Sequence, residues 1–131
     1  MSVRFAGYAA VFDVADRGGD VVRSGAFGAV RAGVPLLWQH RGCPVGVIER
    51  VAEDARGLRV IGRVEEPHLA GLVASGAVAG LSFGYRVRAA KSGRVRELTA
   101  LELVEISLVA QPMQWLAVVH AVVPDPPVSS S

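Results

Sequence analysis

Residues 45–52 and 58–64 are two β-rich runs separated by Glu53-Asp54-Ala55-Arg56-Gly57, and this spacing constrains the fold more than any other feature of the chain. Asp and Gly supply the chemistry of a tight reversal, so the two runs form an antiparallel hairpin. Around it lie 131 residues, of which 51% are hydrophobic and 20% charged, the profile of one compact domain. A chain of this size buries roughly two-thirds of its unfolded surface and needs neither a metal nor a disulfide framework. With Cys43 as its one cysteine, no internal bridge can form. The N-terminus has no basic segment, apolar core and small-residue cleavage site, so the expected compartment is a reducing cytoplasm.

The charge balance excludes a basic nucleic-acid stripe. There are 14 basic and 12 acidic residues, a net charge of +2, and the basic residues are spread singly along the chain. Residues 69–85 and 106–124 contain no Asp, Glu, Lys or Arg. Neither reads as a membrane span, since glycines interrupt the first, and Gln111, Pro112, Gln114 and His120 the second.

Residues 3–12 read as a strand that runs into the turn-rich Asp16-Arg17-Gly18-Gly19-Asp20, and 25–32 as a short helix. Residues 34–40 form a buried strand stopped by Arg41-Gly42-Cys43-Pro44. Within 65–78, Leu69, Leu72, Val73 and Ala77 recur at helical spacing, with Pro67 suited to a first turn and Gly76 near the C-terminal end. Residues 81–89 alternate at period two, Lys91-Ser92-Gly93-Arg94 turns the chain into 95–100, and 101–110 is the last strong strand. The expected fold is mainly β (α+β), a six- to seven-stranded antiparallel barrel with one or two short helices. A single domain over 1–123 would be followed by a flexible Pro- and Ser-rich tail over 124–131.

Gly80-Leu81-Ser82-Phe83-Gly84 matches the G-x-S-x-G nucleophile pattern. In an α/β-hydrolase this serine sits between a strand and the following helix. Here a helix precedes it and a strand follows, and the chain is too short for that fold. The plainer reading is that small residues at a helix-to-strand junction let backbones approach closely.

His40 ends an apolar strand beside a Gly- and Pro-containing loop, where a side chain can be held rigidly and still face a cleft. A packed or solvated strand-end histidine is the commoner case. On 101–109, period two puts Val104, Ile106 and Leu108 on one face and Leu103, Glu105, Ser107 and Val109 on the other. Both faces are largely apolar, so Glu105 is expected to be semi-buried and to need a partner, an imidazole N–H or an Arg, unless it stands at a barrel end in solvent. A hydroxyl, a neutral imidazole and an acid are what nucleophilic acyl transfer requires, and the order His, Ser, Glu is no obstacle because a triad is defined by geometry.

Five blocks together resemble a known family: Gly7-Tyr8-Ala9-Ala10-Val11-Phe12 leading to Asp16-Arg17-Gly18-Gly19-Asp20-Val21-Val22; Gly25-Ala26-Phe27; Leu36-Leu37-Trp38-Gln39-His40; Gly80-Leu81-Ser82-Phe83-Gly84-Tyr85; and Leu103-Val104-Glu105-Ile106-Ser107-Leu108-Val109. Their order and spacing are similar to those of the prohead maturation proteases of tailed bacteriophages. The resemblance implies a β-barrel serine protease related in fold to herpesvirus assemblins. It would trim the scaffolding segment of the major capsid protein, and often itself, inside the assembling prohead in the host bacterial cytoplasm, as a homo-oligomer with no cofactor and no nucleic-acid or membrane partner. It makes His40 the base, Ser82 the nucleophile and Glu105 the third member. Assemblins use a second histidine in that third role, which leaves His120 as the rival to Glu105. Backbone N–H groups near Gly84 and the Arg86 side chain are candidate oxyanion donors.

Other sites carry less. Asp13, Asp16 and Asp20 lack calcium-loop spacing and read as a solvated turn. Cys43 reads as a small buried residue rather than a reactive thiol. Two other functions stay open, a non-catalytic capsid-assembly module on the same fold and a small serine esterase.

Overall fold

The structure, a computed structural model, describes residues 2–30 and 33–124. Its elements are β1 (Val3–Val11), β2 (Asp20–Val22), β3 (Pro35–Trp38), β4 (Arg41–Glu53), β5 (Gly57–Val64), α1 (Pro67–Ala74), β6 (Gly80–Lys91), β7 (Arg96–Val109) and β8 (Val119–Pro124). One sheet runs in the order β2-β7-β3-β4-β5-β1-β8, with β6 paired to β7.

The hairpin expected around residues 53–57 is β4 and β5, with Glu53 opposite Leu58. Asp54 Oδ1 accepts from the backbone N–H of Arg56 at 2.8 Å and of Gly57 at 3.1 Å, the side-chain-to-backbone pattern that makes Asp a turn residue. The helix lies within the expected 65–78 but is shorter, and Ala77 falls beyond its end. Pro67 opens α1, the Glu66 carboxylate caps it by accepting from His68 N and Leu69 N, and Leu69, Ala70 and Val73 turn inward. Gly76, at φ +82°, ends the last turn in a conformation that favours glycine.

The antiparallel barrel is corrected. The sheet is mixed, because β7 pairs in parallel with β2 through 96–98 and with β3 through 106–108. It has eight strands among the described residues, and it is not closed into a barrel. Only an isolated bridge, Gly80 to Val118, links the start of β6 to the segment leading into β8. Alternation along a strand fixes which face is apolar and carries no information about the direction of its neighbour, so two parallel pairs escaped the sequence.

The helix expected over 25–32 is absent from its described part. Gly25 and Gly28 have φ of +87° and +59°, which an α-helix does not tolerate, and residues 25–28 form turns instead. The Glu53 carboxylate holds this segment by accepting from Gly25 N and Phe27 N. Residues 41–44, expected as a loop, begin β4, and Cys43, expected to be buried, is exposed there. Residues 125–131 of the expected tail lie outside the described residues; Pro124 ends β8.

Phe5, Leu36, Leu58, Leu81, Leu98, Ile106 and Leu108 are fully buried at the centre of the core. Each such side chain contributes about 1.5–3 kcal/mol relative to an exposed one. Leu81, Ile106 and Leu108 flank the candidate site residues in sequence, so the polar groups stand on strands anchored by core packing. Among the described residues no helix is long and apolar enough to cross a membrane.

Candidate active site

Trp38 pairs with Arg41, so β3 and β4 are joined by a two-residue turn made of Gln39 and His40. Their φ values are +56° and +63°. Positive φ at both central residues is the type I′ hairpin turn, which Asn-Gly adopts readily and Gln-His does not. Each side chain held there costs about 1 kcal/mol or more. The cost is met by bonds to β7 and its continuation: Gln39 N donates to Leu108 O at 3.0 Å, His40 N donates to Ser107 Oγ at 3.0 Å, and Ala110 N donates to Gln39 Oε1 at 2.8 Å.

Held this way, His40 brings its Nδ1 to 2.5 Å from Glu105 Oε1. Glu105 is buried, at 8% exposure, whereas the His40 side chain is 43% exposed, so the pair joins the interior to the surface. The second carboxylate oxygen, Oε2, accepts from Ser107 Oγ at 2.7 Å. Since a carboxylate only accepts, His40 Nδ1 carries the proton and Nε2 is left as the acceptor.

Ser82 lies on β6 opposite Ser107, and Gly84 lies opposite Glu105, so these four positions share one face of the β6–β7 ladder. That register explains the final glycine of G-x-S-x-G. A Cβ on Gly84 would sit 2.9 Å from both Cγ and Cδ of Glu105, inside contact distance, so the carboxylate reaches His40 across bare backbone. Close approach was the plainer reading of this motif, and it holds for the glycine while leaving the serine beside the site.

Ser82 and His40 line one cleft of about 640 Å³, together with Arg17, Arg41, Tyr85 and Met113. No hydrogen bond joins Ser82 to His40 in this arrangement. Burial, reinforced by the charges of Asp20 and Asp16, pushes the Tyr85 hydroxyl up and keeps it protonated. Arg17 is fixed at the rim, its guanidinium donating to Gln111 Oε1 and its backbone N to Met113 O.

The rival third member is elsewhere. His120 is exposed on β8 and packs edge-on against the Tyr8 ring, centroids 5.6 Å apart. Arg86 is 73% exposed and reaches toward Glu102. The turn aspartates are engaged: Asp13 pairs with Arg23, Asp20 with Arg96, and Asp16 accepts from Gly18 N and Asp20 N. Among the described residues there is no group of three or more His, Cys, Asp or Glu placed to hold a metal. Ser107 was missed as a site residue, although a second polar residue two positions after Glu105 on an apolar strand is a visible signal.

Comparison with known proteins bears on this arrangement. The KSHV protease, solved with a hexapeptide phosphonate inhibitor, superposes with a TM-score of 0.64 over 95% of this chain and 66% of its own, at 14% identity. A second KSHV protease structure gives 0.60 over 95% and 62%, also at 14%. At that identity the likeness is one of fold, and it makes the architecture assemblin-like. The prohead protease of Enterobacteria phage HK97 is 35% identical over 94 residues, 63% of this chain, and the match spans only 42% of that relative's length. The family model described as caudovirus prohead serine protease matches residues 1–123, so the chain belongs to the caudovirus prohead serine protease family.

Proposed function

We propose that this chain is a serine endopeptidase of phage or phage-like particle assembly, with Ser82 as nucleophile, His40 as general base and Glu105 as the acid that orients it. The observation that carries the reading is the 2.5 Å contact of His40 Nδ1 with buried Glu105, which leaves Nε2 free to take a proton in the cleft that Ser82 also lines. Ser82 Oγ attacks the scissile carbonyl carbon while His40 Nε2 accepts its proton. The tetrahedral intermediate collapses as the C–N bond breaks, and His40 returns the proton to the departing amine. Water, deprotonated by the same imidazole, then hydrolyses the acyl-enzyme. Glu105 keeps the Nδ1–H tautomer and stabilises the imidazolium in each half-reaction.

The substrate is the scaffolding segment of the major capsid protein, and the chain cleaves itself as well, within the prohead assembling in the host cytoplasm. It works as a homo-oligomer, with residues 1–123 as its single domain. Family membership supports the capsid protein as substrate and the assembling prohead as the setting. The test is co-expression with the capsid protein followed by mass spectrometry of both chains. Wild type should release the scaffolding segment, and Ser82→Ala should leave both chains intact while keeping its thermal unfolding cooperative. Trimming that persists in Ser82→Ala overturns the assignment.

A further inference from the structure

We propose that Ser107 is a positioning residue that locks the His40–Glu105 pair in one protonation pattern and one geometry. The inference rests on the reading of Ser82, His40 and Glu105 as the working set and adds a fourth group to it. Ser107 is fully buried, at 0% exposure, and does not line the cleft, so it does not meet a substrate.

Its hydroxyl joins the backbone of one partner to the side chain of the other. His40 N–H can only donate, so in their 3.0 Å contact Ser107 Oγ must accept. The single hydroxyl proton is then committed to Glu105 Oε2, 2.7 Å away. Glu105 Oε1 faces His40 Nδ1 at 2.5 Å. The bonds close a ring, from His40 backbone to Ser107, to the carboxylate, and back to the His40 imidazole. Every donor in the ring has one acceptor, so the proton on Nδ1 has no competing arrangement. A backbone N–H at φ +63° is also tied down by this hydroxyl, and the turn that carries the base is fixed from the strand that carries the acid.

Alanine at 107 leaves buried Glu105 Oε2 and the part-buried His40 N–H without these partners, and the consequences are specific. The carboxylate, having lost a donated bond, becomes easier to protonate and a stronger acceptor for the imidazolium. Both changes favour loss of the neutral base on acidification. The acid limb of the activity profile therefore moves to higher pH. The other charged side chains lining the cleft are Asp16, Arg17 and Arg41, none hydrogen-bonded to His40 or Glu105, so they do not replace the lost bond.

The experiment measures kcat and KM for a capsid-derived peptide from pH 5 to 9 in wild type, Ser107→Ala and Ser107→Thr, with rates expressed per site labelled by a fluorophosphonate. Counting labelled sites removes any contribution from misfolded protein. Ser107→Ala should lower kcat by about 10- to 100-fold, as expected for loosened placement of a base, leave KM within about twofold, and shift the acid limb upward. Ser107→Thr, which keeps the hydroxyl, should return the limb to its wild-type position. An unmoved limb in Ser107→Ala, or a fall confined to KM, overturns the proposal. If wild type itself neither labels nor cleaves, the failure lies with the proposed function instead.

Discussion

Two hairpins share the strand β4, and their turns are opposites. At the β4–β5 end, Asp54 accepts two backbone N–H groups and Gly57 closes the reversal, so local chemistry favours the bend, and β1 and its continuation add the Tyr8 hydroxyl and a bond from Phe12 N to Arg56 O. At the β3–β4 end, Gln39 and His40 occupy left-handed φ values with no local compensation, and the bend persists because β7 holds it. The relaxed turn organises the fold. The strained turn carries the candidate base. Strain at a catalytic position has a physical use: a side chain over-determined by its surroundings is already placed when substrate arrives.

The contrast can be broken at several points. The largest effect is expected at the strained end without touching the turn itself. Gly84→Ala puts a methyl group against the Glu105 carboxylate, and displacing the acid by even 1 Å should cost about 100-fold in kcat. Circular dichroism and per-site labelling would show whether the protein remains folded, and unchanged kcat would mean that Glu105 has room to move.

A smaller effect, and of a different kind, is expected at the relaxed end. Asp54→Ala removes two turn bonds and the contact with the Tyr8 hydroxyl. At this exposed site the loss should be about 1–2 kcal/mol in urea unfolding, with cleavage per folded molecule unchanged. A drop in activity larger than the drop in folded fraction would mean that the two turns are coupled through β4.

The smallest effect is a pH dependence confined to the relaxed turn. Burial alone would raise the Asp54 carboxyl, but hydrogen bonds from Tyr8, Arg56 N and Gly57 N outweigh it and hold it below its ordinary value. A depressed carboxylate contributes stability that is present above its unfolded value, near pH 4, and is lost as pH falls through the folded one. Wild type should therefore lose slightly more stability than Asp54→Ala between about pH 4.5 and 2.5. Parallel curves for the two proteins would remove Asp54 from the account.

The same contrast explains how much was legible beforehand. The hairpin, α1 and β1 rest on local signals, a turn residue or a period, and all were found. Strand β2, with only Asp20, Val21 and Val22, is too short to show alternation. Strand β8 lies in an apolar run, broken only by His120, that does not separate strand from buried coil. The pairing of β3 with β7 joins residues 36–38 to 106–108 and left no local mark. Within the site, Ser82 stood out by motif and Glu105 by its apolar neighbours. Ser107 carried a weaker signal, a second polar residue on an apolar strand, and its role depends on partners that only the folded sheet supplies.

By itself, then, the sequence determined a mainly β chain, the helix α1, the relaxed turn, and the three candidate residues as separate points. These follow from interactions between residues close along the chain. Tertiary structure alone decided that β7 runs parallel to β3, that Glu105 rather than His120 meets His40, and that Gln39 and His40 bend into a turn they do not favour. Those outcomes depend on bonds between residues about 65 apart in sequence, such as His40 Nδ1 with Glu105 Oε1, and only the packed sheet brings such groups within reach.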